Sequence, residues 1–281
     1  MNNIRYVAEI GSNHMGSLDS AIEHIQVAAD VGATGVKFQL FRAATLYAPP
    51  VPDMERFEVP YSWLPVLRRE AHLYNLSFSC TPFDIESCKM LTGIVDQVKI
   101  SAYDLTYHAL IREAAKLDVP IVLSTAMAHW DEIALAIYTA RIIDQLVHIT
   151  LLHGTACYPA PYAQLNLRAI QAMKEFYSYF SVGLSDHSMG FRAAPIAVAL
   201  GATHIEKHFR LLDTPDESPD YVHSATPGIF QLMVRHCEQT VDFLGKDGKD
   251  GPLMCELPLY ETCRRTDNQP LRMVEGSKKQ P

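Results

Sequence analysis

The chain of 281 residues is 48% hydrophobic and 20% charged, a globular balance with enough apolar surface for one large core or two small ones. Its 24 basic and 32 acidic residues leave a formal charge of −8, and basic pairs occur only at Arg68-Arg69, Arg264-Arg265 and Lys278-Lys279, which argues against nucleic acid or an anionic membrane as partner. No apolar run nears the roughly 20 residues that cross a bilayer, no apolar signal segment opens the chain, and the six cysteines lack C-x-x-C spacing, so a cytoplasmic protein with reduced thiols is expected.

Short β-branched runs alternate with amphipathic stretches. Arg5–Ile10 reads as a first strand, followed by a helical pattern from Leu18 to Val31 that stops at Gly32. Gly35–Gln39 is the next strand, and a proline-rich loop runs from Tyr47 to Pro60. A helix over 63–74 leads to strand Ser77–Thr81, a helix over 85–92 to Gln97–Ser101, and a helix over 106–117 to Pro120–Ser124. Helix 130–143 precedes His148–His153, helix 166–177 precedes Ser181–Ser185, and helix 191–200 precedes His204–His208; a last helix covers 229–244. Eight strand–helix units in about 245 residues fit a closed (β/α)8 TIM barrel better than an open doubly wound sheet. The strands also end in polar residues, Glu9, Lys37, Thr81, Lys99, Ser124, His153, Ser185 and His208, on the rim where such barrels build active sites. An open sheet would gather them at one switch point.

Lys37 and Lys99 lie in the strand contexts Val-Lys-Phe and Val-Lys-Ile, where a buried ammonium is costly unless paired or bound to an anion. Either lysine alone is as readily a strand-end residue reaching solvent or a carboxylate. Two on one rim, beside the hydroxyls of Thr81, Ser101, Ser124 and Ser185, suit a substrate carrying phosphate or carboxylate. His187 follows the seventh strand and His208 closes the eighth. Each taken singly is more often a structural rim histidine, but loops after neighbouring strands are adjacent, and as a pair they suit a divalent transition ion. Asn13-His-Met-Gly16 and Ser17 read as a turn and helix N-cap, an account that leaves out Glu9, an acid embedded in Val-Ala-Glu-Ile. Asp104 is either a site acid or the N-cap of helix 106–117. Tyr158, stiffened by Pro159 and Pro161, is placed to face a sugar, and Pro215, Pro219 and Asp220 read as a loop over the mouth.

Several collinear segments together resemble the sialic acid synthase (N-acetylneuraminate synthase) family: Ala8-Glu-Ile-Gly-Ser-Asn-His-Met-Gly16, Val36-Lys-Phe-Gln39, Cys80-Thr-Pro-Phe83, Leu123-Ser-Thr-Ala-Met127, Tyr158-Pro-Ala-Pro161, Gly183-Leu-Ser-Asp-His187 and Ala199-Leu-Gly-Ala-Thr-His-Ile-Glu-Lys-His-Phe209. The resemblance covers about residues 5–245. It implies a barrel transferase that condenses phosphoenolpyruvate with an N-acyl amino sugar, N-acetylmannosamine or a related hexosamine, into a nonulosonic 2-keto acid and phosphate. It implies that His187 and His208 bind a divalent ion, usually manganese, with magnesium or cobalt as alternatives. Lys37 and Lys99 with Thr81, Ser124 and Ser185 would hold phosphoenolpyruvate, Ser101 standing beside them. Glu9, Asp104, Gln39, Tyr158 and Asp220 would face the reacting carbons or the sugar, Glu9 assisting the addition of water.

The departures from the family's pattern lie on the sugar side. Lys-Ile-Ser-Ala-Tyr-Asp stands where the family usually has Lys-Ile-x-Ser-Gly-Glu, Ala126 replaces a glycine, Ala156 a polar residue, and Ser218-Pro-Asp220 a Gly-Pro-Asp. An acceptor other than N-acetylmannosamine is the resulting expectation. Family members continue into a small C-terminal domain that reaches across a dimer; here the expectation is a barrel over 1–245 and a short polar tail over 246–281, with a homodimer left open. Two alternatives compete. A Schiff-base aldolase or lyase acting on a keto acid would need one lysine without phosphate ligands, and a non-catalytic sugar-binding paralogue would not need both histidines and both lysines.

Overall fold

In the computed structural model, which describes residues 4–245 and 249–263, eight parallel strands close on themselves in chain order. They are β1 (Arg5–Glu9), β2 (Gly35–Leu40), β3 (Ser77–Pro82), β4 (Gln97–Ile100), β5 (Ile121–Ser124), β6 (Ile149–Gly154), β7 (Ser181–Asp186) and β8 (His204–His208). The ring is sealed where β1 pairs with β8, Glu9 opposite His208. Helices α1 (Leu18–Asp30), α2 (Ala43–Leu46), α3 (Leu64–Leu73), α4 (Ile85–Lys89), α5 (His108–Ala114), α6 (Trp130–Ile143), α7 (Arg168–Phe176), α8 (Ala193–Ala199) and α9 (Pro227–Leu244) fill the connections. The (β/α)8 reading of the sequence therefore describes the fold.

Most boundaries move by one or two residues, for local reasons. Helix 106–117 is split: α5 starts at His108, and a one-turn 3-10 helix (Ala115–Leu117) ends at Asp118, whose left-handed φ of 56° stops it. The last helix begins earlier, at Pro227, because proline's fixed φ suits the first helical turn. The proline-rich loop contains 3-10 turns at Met54–Phe57 and Tyr61–Trp63, and α2 precedes it.

Strand alternation divides the barrel's contents. On β2, Val36 and Phe38 join the apolar core, while Lys37 and Gln39 between and after them line a cavity. The same core takes Val98 and Ile100, Ile121 and Leu123, Ile149 and Leu151, and Ile205. Phe38 meets Phe78 at 6.0 Å between ring centroids, and Phe209 meets Phe230 of α9 at 5.5 Å. Each such side chain contributes about 1.5–3 kcal/mol by leaving water. Gly183 marks a tight approach: a Cβ there would overlap the His204 carbonyl of the neighbouring strand.

One charged pair lies deep between β7 and β8. Lys207 is opposite Asp186 in the register and donates to its Oδ2 at 2.8 Å and to the Ser188 carbonyl at 2.7 Å, while Ser188 N and Oγ donate to Asp186 Oδ1. Both side chains are fully buried. The lattice of bonds fixes the turn that carries His187.

The chain divides into two units, Met1–Phe243 and Leu244–Pro281. The described part of the second contains α10 (Leu257–Cys263), preceded by a turn in which Leu253 N donates to Glu256 Oε2 at 2.7 Å. Much of the expected tail, residues 246–248 and 264–281, lies outside the described residues. No helix among the described residues is long and apolar enough to cross a membrane.

Candidate active site

The C-terminal ends of the strands open into a cavity of about 730 Å3. Lys37, Gln39, Thr81, Lys99, Ser101, Asp104, Ser124, Tyr158, Ser185, His187, His208 and Asp220 line it, which is every residue predicted for the site except Glu9. His153, on the predicted rim, binds the Leu165 carbonyl through Nε2 at 2.8 Å and is not part of the lining.

The floor is a cluster of alternating charge. Lys37 is ion-paired with Glu9, donates to Thr81 Oγ1 at 3.0 Å and stands 3.9 Å from Glu206 Oε1. Lys99 pairs with that same Glu206 oxygen and donates to Ser185 Oγ at 3.3 Å. Burial alone would lower Lys37, but the carboxylates of Glu206 and Glu9 outweigh it and its pKa is raised. For Lys99 burial prevails over Glu206, with repulsion from Lys37 on the same side, and its pKa is lowered. Burial opposes ionisation of Glu206 too, yet the two ammonium groups hold its carboxyl well below the usual range. Glu9 is fully buried behind this layer and also accepts from Gln39 Nε2 at 2.9 Å. It orients Lys37 and Gln39, and does not itself line the cavity.

One wall carries Asp104 and the tyrosines. Asp104 ends a one-turn 3-10 helix (Ala102–Asp104) whose start is capped by Ser101 Oγ, which accepts from Tyr103 N at 3.2 Å. Tyr107, not Asp104, occupies the N-cap position of α5, so the capping alternative does not hold. Asp104 Oδ2 is buried without a hydrogen-bond partner, and burial pushes the carboxyl up to about 6. Tyr158 lies 4.3 Å from His187 and 5.0 Å from His223 between ring centroids, and burial followed by its neighbour Tyr103 raises its pKa.

The adjoining wall is built by β8 and the loop after it. Asp220 Oδ2 accepts from Ser12 N and Ser12 Oγ, both at 2.7 Å, so the turn after β1 orients the carboxylate. Gly11 makes this approach possible: its φ is +54°, and a Cβ there would overlap Asp220 Oδ2. The other oxygen, Oδ1, faces His208 Nδ1 at 3.2 Å and His223 Nε2 at 3.3 Å. Burial opposes the charge on Asp220, but His208, His223 and the Ser12 amide hold its carboxyl well below the usual range. The turn expected at Asn13 proves to be a brace. Asn13 Nδ2 donates to the Phe209 carbonyl at 2.9 Å and to Ser224 Oγ at 2.8 Å, and Ser218 Oγ donates to Asn13 Oδ1 at 2.7 Å. Ser17 caps α1, as expected.

Sequence reasoning passed over Glu206, His223 and Ser12. Glu206 had a usable signal, lying two residues before His208 and so on the same strand face. His223 has none in the sequence, since only the loop's return path brings it to His208.

The donors fit a divalent ion. His208 Nδ1 is a buried ring nitrogen with no hydrogen bond of proper geometry, and a fixed carboxylate oxygen stands 3.2 Å from it. Imidazole with carboxylate suits a transition ion. His187 lines the same cavity; its Nδ1 donates to the Thr155 carbonyl at 2.9 Å, and its Nε2 lies 3.4 Å from Ser185 Oγ. Burial and then His208 push its pKa down to about 3, so the ring is neutral.

Known proteins share this arrangement of sequence and fold. The chain is 34% identical to the N,N'-diacetyllegionaminic acid synthase of Campylobacter jejuni over 258 residues, 85% of this chain and 77% of that protein. It is 32% identical to a pseudaminic acid synthase of the same species, over 86% of this chain and 75% of that one. A crystal structure of the N-acetylneuraminic acid (sialic acid) synthetase of Leptospira borgpetersenii, in complex with citrate, superposes with a TM-score of 0.85 at 32% identity, covering 92% of this chain and 91% of that one. The sequence profile of the NeuB family matches residues 24–249. The chain belongs to the NeuB family.

Proposed function

We propose that this protein is a nonulosonic acid synthase, condensing phosphoenolpyruvate with the open-chain aldehyde of an N-acyl amino sugar and releasing phosphate. The observation that carries the reading is the paired floor, with Lys37 and Lys99 converging beside Thr81, Ser185 and Ser124 in the cavity that also holds His208 and Asp220. Two ammonium groups and three hydroxyls offer the donors that a substrate bearing both phosphate and carboxylate requires.

In this reading Lys37, Lys99 and the hydroxyls bind the enol-phosphate, and Glu9 and Glu206 set the positions of the two lysines. C3 of the enol-phosphate attacks the aldehyde carbon, forming the C–C bond and leaving cationic character at C2. Water adds at C2, loses a proton, and the tetrahedral intermediate expels phosphate by cleavage of the C2–O bond. Asp104, on the turn directly after β4, and Tyr158, against His187, hold the sugar, Asp104 through its unpartnered oxygen. Held by His187 and His208, with Asp220 beside His208, a divalent ion, Mn2+ by the resemblance, would polarise the aldehyde oxygen as a Lewis acid. Positioning two reactants and neutralising phosphate charge would supply much of the rate.

The acceptor is proposed to differ from N-acetylmannosamine, because Tyr103, Asp104 and Ala126 all line the cavity where the sequence departs from the family's pattern. Incubation with Mn2+, phosphoenolpyruvate and a panel of N-acyl hexosamines tests the reading. Phosphate release with at least one aldehyde is expected; no release with any of them contradicts it.

A further inference from the structure

We infer that Tyr47 is a further substrate-contacting residue, holding the acceptor sugar above the enol-phosphate, and that Glu58 is the positioning residue that sets it there. The inference rests on the synthase reading for the identity of the sugar, whereas the placement of Tyr47 follows from the loop that carries it.

Depth along β2 and the loop after it gives the order of contacts. Lys37 is buried in the floor, Gln39 two residues on is half-buried above it, and Tyr47 is half-exposed at the mouth; all three line the same cavity. A second reactant lying over an enol-phosphate held by Lys37 and Lys99 therefore reaches the level of Tyr47. Burial raises the Tyr47 pKa, and the nearby Tyr103 and the Asp220 carboxylate add to it, so the phenol keeps its proton and can donate as well as accept. Leu46, Phe83 and Tyr103 line the cavity with it. Such a flank packs against the C–H face of a sugar or the methyl of an acyl group, while the hydroxyl bonds a polar substituent.

A closed loop holds the ring in place. Residues 42–59 leave β2 and come back to where they started, the form of an Ω-loop. Its two ends are pinned together: Glu58 Oε1 accepts from Ala43 N at 2.7 Å, and Arg42 Nη1 donates to Glu58 Oε2 and to the Val59 carbonyl, both at 3.3 Å. The Arg42 guanidinium also lies 4.0 Å over the Tyr61 ring. Phe41, Ala43, Phe57 and Val59 are buried on either side of the pin, while residues 47–53 are exposed. Ala43 is the first residue of the one-turn helix α2, whose opening N–H groups have no partner within the helix, and Tyr47 is the residue directly after it. Glu58 thus caps, from the far end of the loop, the short helix that delivers Tyr47. The returning limb is braced as well: a Cβ on Gly16 would overlap the Arg56 carbonyl, and Arg56 Nη1 stands 3.6 Å from Glu217 Oε1 of the loop after β8.

The test compares full-chain variants with the parent. Calorimetry titrates the panel of N-acyl hexosamines into protein saturated with phosphoenolpyruvate and kept free of divalent ions, so that binding is read without turnover. Phosphate release with Mn2+ then gives KM and kcat. Tyr47→Ala is expected to weaken the sugar by about tenfold, and Tyr47→Phe by about threefold, the share of the hydroxyl. Both should bind phosphoenolpyruvate within about twofold of the parent, because the floor is untouched. Glu58→Ala should raise the KM for the sugar by about threefold or more with kcat retained, the signature of a misplaced binding group. Glu58→Gln, whose amide oxygen can still accept from Ala43 N, should recover most of that loss. The inference is overturned if Tyr47→Ala binds the sugar as the parent does, or loses sugar and phosphoenolpyruvate by the same factor. Glu58→Gln as impaired as Glu58→Ala overturns the positioning role, and a parent that binds no sugar of the panel overturns the contact. Sugar binding that depends on Tyr47 without any phosphate release would instead contradict the synthase reading and leave the contact standing.

Discussion

Lys99 and Glu206 show how closely stability and substrate binding are joined at single residues. Their pair is buried between β4 and β8, and removing one partner leaves the other charge without compensation. Lys99→Met is therefore expected to destabilise the fold by about 3 kcal/mol in urea unfolding, the low end for such a loss because Lys37 remains 3.9 Å from Glu206. Adding Glu206→Gln should restore much of that stability without restoring phosphoenolpyruvate binding, which separates the two roles. Asp104 gives a pH signature. Burial raises its folded pKa to about 6, so its ionised form is penalised in the folded state above that pH and carries no penalty once both states are protonated, below about 4. Asp104→Asn should thus raise the melting temperature at pH 7.5 and lose that advantage near pH 4, while raising the KM for the sugar. A melting temperature that shifts equally at both pH values would contradict the assigned burial effect. Lys37 and Lys99 were legible in the sequence because a cation inside a β-branched strand is out of place there. Glu206 shares a strand face with His208 and could have been singled out on that ground, but its pairing with Lys99, 107 positions away, leaves no signal in the sequence.

Among the elements, β8 and the loop following it do the most to shape the site. Strand alternation sends Glu206 and His208 to the cavity and leaves Lys207 on the opposite side, where only Asp186 and the Ser188 carbonyl make its burial tolerable. Lys207→Met should cost about 3–5 kcal/mol by stranding the Asp186 carboxylate, and Lys207→Met with Asp186→Asn should recover part of it. Recovery of nothing would mean that packing, rather than charge, dominates there. At the end of β1, Gly11→Ala forces a side chain into Asp220 Oδ2. We expect the barrel's circular dichroism to be retained and Mn2+ affinity to fall by about tenfold or more. The strands and most helices could be read from hydrophobic period, since each strand places alternate residues in the core. The place of His223 could not, because it depends on the Phe209–Ala225 bridge, a contact between backbone groups that leaves no mark on composition.

At the scale of the whole molecule, the closed barrel gathers residues from position 37 to position 223 into a single cavity, which explains why no short motif announced the site. The floor quartet of Lys37, Lys99, Glu9 and Glu206 is internally neutral, so a polyanionic substrate gains little net attraction from it alone. Mn2+ is accordingly expected to tighten phosphoenolpyruvate binding by about tenfold or more in calorimetry, a coupling that must be reciprocal. The aldolase alternative would use Lys99, whose lowered pKa suits Schiff-base chemistry, but Glu206 and Ser185 already hold its ammonium group. The most direct test of the synthase reading is the stoichiometry of a complete reaction, with phosphate measured by colour and the carbon skeleton by mass spectrometry. Phosphate and one 2-keto sugar acid should appear in equal amounts, only when Mn2+, phosphoenolpyruvate and the acceptor are all present. Phosphate released at the same rate without acceptor, or release of free pyruvate in place of a coupled product, would contradict it.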